Sequence, residues 1–452
     1  MYRLPMGVSI PEAYTIRRRY HIFMWRLAGS IILLSSTFAL LRAEVRKLTL
    51  KQTVGIAMKQ NPDIVSARLD EQQAEQAVRI AKDPFIPKVF VGSGAAYSYG
   101  YPMSIEGSAP SVFQARAVAS IFNRPLSYQV AQAKEDARGR ALDAASRSEE
   151  IALRTASLFL DAERAARAAD IAWRQVESAR KVAEETAVRV REGRELAVEA
   201  RRAELNVAVA RQHAQELEGQ QEYAQRSLSV VLGFDPQDQI EPAKDERALP
   251  ELPASEESAA KIALENSREV KRLESSLLAK GYEVRANKAA WLPTVDLVAQ
   301  YGLFSKFNNY EDFFRKFQRH NGQIGVSFQV PIYAGAASAA RTAQAELEVS
   351  RIRVEVNRTR SRVALEARQS YQQLENAKTA AEVARLDLEV AREQLSILLA
   401  RMQEGRVSMR DVENARYTEN EKWIAFLNAQ YAVERAAYEL AWRTGSLMGL
   451  LL

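Results

Sequence analysis

Cysteine is absent from the 452 residues of this sequence. A chain without cysteine forms no disulfide, offers no thiolate nucleophile, and has no N-terminal cysteine to carry a lipid anchor. Histidine is also scarce, since His21, His213 and His320 are scattered along the chain and do not predict a metal cluster. We therefore expect no metal and no other cofactor.

Glycine and proline are few, with 19 and 14 residues, and long stretches are dominated by alanine, glutamate, arginine, glutamine and leucine. This composition is typical of long helices rather than compact globular domains. No glycine-rich run precedes a Lys-Ser or Lys-Thr pair, so no phosphate-binding loop is predicted. The many carboxylates are typical of solvated helix faces, and the sequence predicts no enzyme.

Beyond residue 43, the chain has almost equal numbers of basic and acidic residues. The formal net charge is +6, but residues 1–43 hold six arginines and one acid, which leaves 57 basic and 56 acidic residues in the remainder. A nearly neutral chain with interspersed charges lacks the basic surface that nucleic acid requires. We expect no nucleic acid partner.

Residues 1–43 have the pattern of a secretory signal peptide, with a basic stretch before the apolar run Leu27–Leu41. That run is short for a membrane-spanning helix, although a retained anchor is the alternative. The basic part is unusually long, and Met24 would begin a signal of more ordinary length. Cleavage could follow Ala39 or Ala43.

The sequence contains an internal duplication. Glu-Gly-Arg occurs at 192–194 and at 404–406, each time with a carboxylate six residues after the glycine, Glu199 and Asp411. The prolines Pro87 and Pro125 recur 206 residues later as Pro293 and Pro331. The chain is therefore interpreted as two structural repeats, 44–247 and 248–452.

Each repeat is predicted to contain two strands. Apolar and polar residues alternate over 294–304 and 321–333, as in a sheet with one apolar face. The corresponding strands of the first repeat, about 89–103 and 111–127, alternate less cleanly because Arg116 and Arg124 interrupt the pattern.

The rest of each repeat is predicted to be helical. A helix of about 34 residues (50–83 and 257–290) ends at prolines, and a rod of 66 or 72 residues then runs to the repeated glycine. At about 1.5 Å per residue, such a rod is roughly 100 Å long. The return helix 195–232 is predicted to stack end to end on 257–290, with 233–253 as the joint.

Four strands cannot close a barrel, and an open sheet edge in lipid leaves backbone groups unpaired. We therefore expect the chains to associate, and three copies would supply twelve strands.

The features quoted above, together with the opening LTLKQTVGIAMKQNPDI at 48–64, resemble the TolC-like outer-membrane factors. The resemblance covers about 48–447. It implies a mostly α fold with a β-barrel portion: a homotrimer with a 12-stranded barrel in outer-membrane lipid, continued by a long periplasmic coiled-coil barrel. It also implies an exit duct for efflux or type I export, which passively conducts substrates from a periplasmic adaptor (membrane fusion protein) and an inner-membrane pump.

The resemblance also implies roles for residues of the duplicated motif. Gly193 and Gly405, with Arg194 and Arg406, would form tip turns that bind the adaptor, because glycine tolerates positive φ. Asp411 would face inward and form an acidic ring in the trimer.

The periplasmic aperture would also include Asn414, Glu199 and Met402, each of which departs from the residue that the family usually has there. An alternative for Asp411 and Glu199 is a purely local one, in which a carboxylate stabilises a helix N-terminus. The alternative function is an exported structural coiled-coil protein that does not conduct.

Overall fold

The computed structural model describes residues 45–93, 111–235, 237–243, 247, 252–304, 315, 318–332 and 336–452. Within these ranges, no helix is both long enough and apolar enough to cross a membrane. Residues 1–43 lie outside the described part, and so do residues 94–103 of the first predicted strand.

Long helices and short strands alternate twice along the chain. The helices are α1 (Leu50–Gln60), α2 (Pro62–Lys82), α3 (Arg124–Arg191), α4 (Ala197–Val231), α5 (Glu256–Asn266), α6 (Arg268–Lys288), α7 (Ala336–Gln403), α8 (Met409–Thr444) and α9 (Leu447–Leu451). The strands are β1 (Val45–Leu48), β2 (Lys88–Gly92), β3 (Ser111–Phe122), β4 (Gln239–Pro242), β5 (Thr294–Phe304) and β6 (His320–Gln329). A mostly helical chain with a small sheet portion agrees with the fold class expected from the sequence.

The first predicted helix of each repeat is in fact two helices. Asn61 adopts an extended conformation and caps α2, where its side-chain oxygen accepts from the amides of Asp63 and Ile64 at 2.9 and 3.3 Å. Pro62 explains this break, because the residue before a proline is disfavoured in the α conformation. In the second repeat, Ser267 caps α6 by accepting from the amide of Val270.

The strand that was expected over 111–127 ends at Phe122. Asn123 caps α3 through a hydrogen bond from the amide of Leu126 at 3.1 Å, and Pro125 lies in the first turn, where its missing amide is not needed. In the second repeat, β6 ends at Gln329, four residues before the predicted end at 333.

The two rods, α3 and α7, each contain 68 residues, which corresponds to roughly 100 Å. Helix α3 packs against α2, α4, α6 and α8, whereas α7 packs against α5, α6 and α8. The helical layer therefore has the order α2 with α4, then α3, then α6 with α8, then α7.

The half-length helices meet end to end within each repeat. The side-chain amide of Asn61 donates to the carbonyl of Val231 at the end of α4, at 2.8 Å. Likewise, Asn266 donates to the carbonyl of Thr444 at the end of α8, at 2.8 Å. Helix α4 is therefore continued by α2, and α8 by α6.

This arrangement corrects the expected stacking of 195–232 on 257–290. The two segments belong to different columns, because each return helix stacks on the first helices of its own repeat. Part of the predicted joint forms β4, which pairs with β1 in a parallel two-stranded sheet. The main apolar core lies here, midway along α3, around Phe159, Leu160 and Leu228.

The larger sheet has the order β2-β3-β5-β6, and all described pairs are antiparallel. This order matches that of the helical layer, because α2 leads into β2, β3 into α3, α6 into β5, and β6 into α7. Strands β2 and β6 are the edges of the sheet.

Candidate functional site

The two Glu-Gly-Arg motifs form the same turn at the ends of α3 and α7. Gly193 and Gly405 have φ of 73° and 74°. The amide of Gly193 donates to the carbonyl of Val190 at 3.0 Å, and the amide of Arg194 donates to that of Arg189 at 2.9 Å. In the second turn, the amides of Gly405 and Arg406 donate in the same way to the carbonyls of Met402 and Arg401, both at 2.9 Å. This is a Schellman motif, which favours glycine because of its positive φ.

Both turns are exposed and carry paired charges. Arg194 lies 3.3 Å from Glu192, and Arg406 lies 3.2 Å from Glu404. Because all four side chains are in solvent, these pairs contribute little to stability. The turns therefore present charged side chains of both signs on the surface.

The return helices begin differently in the two repeats. Ser408 caps α8, and its hydroxyl donates to the Asp411 carboxylate at 2.6 Å, while the amide of Asp411 donates back to the hydroxyl at 3.3 Å. In the first repeat the equivalent cap is Leu196, which has no side-chain acceptor. Glu199 there pairs with Arg202 at 2.8 Å.

Asp411 is therefore held in a capping box. This local role is compatible with an inward-facing charge, since one carboxylate oxygen, Oδ2, makes all the described contacts. The other two expected aperture residues lie nearby in sequence: Met402 is in the last turn of α7, and Asn414 is in the second turn of α8.

Asn414 lines a cavity of about 400 Å³ formed mainly by α3, α4 and α8. In the same cavity, the half-buried Glu413 accepts a hydrogen bond from Asn206, and Arg416 donates to the hydroxyl of Ser178 at 3.1 Å. Burial raises the pKa of Glu413, although the hydrogen bond from Asn206 and the charge of Arg416 oppose the shift.

The sequence analysis did not identify Glu413. Comparison of the two repeats did not indicate a role for Glu413, because the equivalent position in the first repeat, 212 residues earlier, is Arg201. Glu413 acquires its environment only when α8 packs beside α3 and α4.

A second ionic cluster lies near the main core and was also missed. Arg247 donates to Glu163 of α3 at 2.6 Å and to Glu434 of α8 at 2.8 Å. Its guanidinium also lies over the ring of Phe159 at 5.5 Å from the centroid. Arg247 belongs to neither helix and therefore connects α3 and α8 from outside both.

The strand register separates the sheet into two faces. Successive residues of a strand point to opposite faces, and paired residues share one. One face is apolar and includes Val89, Val91, Ala115, Ala117, Leu297, Ala299, Ile324 and Val326. The opposite face is mostly polar and includes Gln114, Arg116, Ser120, Asp296, Gln300, Asn321, Gln323 and Ser327.

Within the described residues, no group of three or more histidine, cysteine, aspartate or glutamate side chains could hold a metal ion. The clusters around Glu413 and Arg247 instead pair each acid with an arginine or an amide.

Comparison with solved structures finds the same fold in several outer-membrane proteins. CusC is 15% identical, with a TM-score of 0.74, and the match covers 88% of this chain and 92% of that one. CmeC, the outer membrane channel of Campylobacter jejuni, is 16% identical with a TM-score of 0.72, covering 88% and 86%. VceC of Vibrio cholerae is 15% identical with a TM-score of 0.71, covering 88% and 96%.

Among curated proteins, the outer membrane efflux protein BepC of Brucella suis biovar 1 (strain 1330) is 26% identical over 224 residues. That match spans 50% of this chain and 47% of the relative, about half its length. The family described as outer membrane efflux protein matches residues 53–234 and 259–446, which include both Glu-Gly-Arg turns. The duplicated sequence, the helical layer with its sheet, and this match establish that the chain belongs to the outer membrane efflux protein family.

Proposed function

We propose that three copies of this chain form a closed duct through the outer membrane. The observation that carries the proposal is the four-stranded sheet, which has one apolar face and two edge strands, β2 and β6, without a described partner. An unpaired edge in hydrocarbon costs several kcal/mol for each backbone group. Pairing β2 of one copy with β6 of the next removes both edges.

The number of copies follows from the size of the barrel. Two copies would give eight strands, and side chains alone fill the interior of such a barrel. Three copies give twelve strands, which enclose a wider interior. Because the helices follow the order of the strands, the same association sets α7 beside the α2–α4 column of the next copy and closes the helical layer.

In this assembly the apolar face contacts outer-membrane lipid and the polar face lines the duct. Tyr301 and His320 support this orientation. They lie on the apolar face, at the sheet end farthest from the helices, and the Tyr301 hydroxyl and the Nδ1 atom of His320 are 2.8 Å apart. Side chains with an apolar body and a polar tip suit the boundary between membrane and water.

The helical part extends into the periplasm and ends at the two tip turns. Gly193, Arg194, Gly405 and Arg406 form the surface that we assign to a periplasmic adaptor, which connects the duct to an inner-membrane pump. The chain itself conducts passively, since the energy comes from the pump. Two of the related structures are outer-membrane channels, which supports a conducting role.

Asp411 is assigned to the aperture together with Glu199, Met402 and Asn414. Three copies of Asp411 would form a ring that attracts cations and repels anions. Its capping contacts with Ser408 hold the carboxylate at the start of α8, so the charge has a defined position.

The test is single-channel conductance of residues 44–452 in planar bilayers, with Asp411→Asn and Ser408→Ala as a matched pair. Asp411→Asn removes the charge and keeps a hydrogen-bond acceptor, whereas Ser408→Ala removes the cap and keeps the charge. We expect a cation-selective pore whose selectivity falls by a few-fold in Asp411→Asn and is preserved in Ser408→Ala.

Equal effects of the two substitutions would show that Asp411 acts through the cap, and the ring assignment would be abandoned while the duct stands. A folded trimer that never conducts would instead favour a structural coiled-coil protein. Migration of the trimer on gels, with and without heating, establishes folding independently of conductance.

A further inference from the structure

A row of four side chains crosses the polar face of the sheet. Phe90 of β2 pairs with Arg116 of β3, Arg116 with Gln300 of β5, and Gln300 with Gln323 of β6. Directly paired residues on one face have their Cβ atoms about 4.5–5.5 Å apart, so neighbouring members of the row can contact one ligand.

Arg116 is an exposed cation to which the described residues supply no hydrogen-bond or ion-pair partner. The described strands carry two other charges on this face. Lys88 is paired with Asp83, and Asp296 lies four residues from Gln300 along β5, roughly 13 Å away. That distance exceeds the Debye length of about 10 Å at 0.1 M salt, so Asp296 neutralises Arg116 only weakly.

Phe90 is the second unusual member of the row. Its side chain is 61% exposed and points to the polar face, whereas its neighbours Val89 and Val91 point to the apolar face. A phenyl ring that is mostly exposed buries little apolar surface and therefore contributes little to the hydrophobic stability of the sheet. Its position beside the Arg116 guanidinium combines a flat apolar surface with a cation.

The amides complete the row. Gln323 donates to the side-chain oxygen of Gln300 at 2.9 Å. This bond leaves the amide nitrogen of Gln300 and the oxygen of Gln323 available on the same face. The row therefore offers, in order, an aromatic surface, a cation and two neutral polar groups.

We propose that this row is a subsite for amphipathic aromatic anions, such as aromatic carboxylates and sulfonates. The ring of the ligand stacks on Phe90 and its acidic group accepts from Arg116. The inference rests on the proposed duct, in which the polar face lines the passage and three copies of the row surround it. It identifies a class of ligand that the barrel would bind.

The experiment measures block of single channels by naphthalene-2-sulfonate. The compound is added on the side of the bilayer that faces the sheet end farthest from the helices. Sulfate supplies the charge without the ring, and benzyltrimethylammonium supplies a ring with the opposite charge. We expect naphthalene-2-sulfonate to block at the lowest concentration of the three. Arg116→Gln should raise its half-blocking concentration roughly tenfold, and Phe90→Ser roughly threefold.

Asp296→Asn is the matched control. It changes one charge on the same face, two rows from Arg116. We expect it to leave block by naphthalene-2-sulfonate within about twofold of the wild-type value, because screening limits its influence. A general effect of the net charge of the barrel would instead move the Asp296 and Arg116 variants by similar factors in opposite directions, and would overturn the subsite.

The subsite is also overturned if naphthalene-2-sulfonate does not block the wild-type pore, or if both row variants keep the wild-type value. It is overturned as well if the aromatic cation blocks equally well in Asp411→Asn, where the proposed acidic ring no longer attracts it. Failure of the duct is distinguishable, since the wild-type trimer would then not conduct. In that case, fluorescence titration of naphthalene-2-sulfonate against the purified protein tests the subsite directly. Equal affinities of wild type and Arg116→Gln would refute it.

Discussion

Replacing Arg247 by methionine tests what holds α3 to α8 at the main core. The Arg247 side chain is 15% exposed, and those of Glu163 and Glu434 are 8% and 18% exposed. Burial acts to lower the pKa of Arg247, but the hydrogen bond to Glu163 and the charge of Glu434 outweigh it, so the pKa lies above its ordinary value. The three charges are thus mutually dependent.

The expected magnitude follows from what the substitution leaves behind. Arg247→Met removes the cation that the two poorly solvated carboxylates share, although Glu163 keeps its ion pair with Arg167 at 2.6 Å. Breaking a buried pair costs about 3–5 kcal/mol, and the remaining ion pair favours the lower end of that range. The buried Nη1 atom of Arg247 makes no hydrogen bond in the described part of the chain, which places the expected loss near the lower end of that range.

The assay is the rate at which the purified trimer loses its folded gel migration at a fixed elevated temperature and protein concentration, since unfolding of such assemblies is commonly irreversible. A loss of about 3 kcal/mol corresponds to a rate up to roughly 100-fold higher. Combining Arg247→Met with Glu163→Gln and Glu434→Gln should recover most of this loss, because the two poorly solvated charges that had faced Arg247 are then removed.

Arg385→Met is the matched control, because Arg385 makes similar contacts to Glu382 and Glu389 on the exposed surface of α7. We expect no measurable change in its rate. If Arg247→Met unfolds at the wild-type rate, or if the triple substitution is no more stable than Arg247→Met alone, the explanation by buried charge is wrong.

Two further predictions concern stability. Gly445→Ala and Gly405→Ala both place alanine at positive φ, which costs roughly 1–2 kcal/mol. Only at position 445 does the new Cβ also come within 2.9 Å of Asn266. Gly445→Ala should therefore lower the thermal unfolding temperature more than Gly405→Ala does, and equal shifts would contradict the contact with Asn266. Because the pKa of Glu413 is raised in the folded state, stability falls as pH rises from its ordinary value through the raised one. Glu413→Gln should stabilise the protein at pH 7 and flatten that decline, as unfolding scans between pH 4 and pH 8 would show; an unchanged slope would refute the assignment.

Several features of the fold could be predicted because their signals are local. Strand alternation identified β5 and β6, and the repeated Glu-Gly-Arg motif located the two turns that end α3 and α7, where positive φ favours glycine. The break at Asn61 was missed although its signal, an asparagine before Pro62, is also local. There the apolar periodicity continued across the cap and favoured one long helix.

The candidate site was less predictable. The sequence identified Asp411 by its place in the duplication and gave a role at the helix N-terminus as the alternative. The hydrogen bonds with Ser408 show that local role, and the aperture assignment stays a prediction. The row from Phe90 to Gln323 was not recognised. Its members come from four strands, and the first repeat alternates poorly where Arg116 lies on the polar face.

The sequence by itself determined the two long helices α3 and α7, the strands β5 and β6, and the turns at the two Glu-Gly-Arg motifs, because periodicity and turn chemistry depend on residues within a few positions of one another. The tertiary structure alone decided that α4 is continued by α2, and that Arg247 joins partners 84 and 187 residues away. Such contacts depend on which surfaces meet after the helices form, and no local pattern of residues encodes that choice.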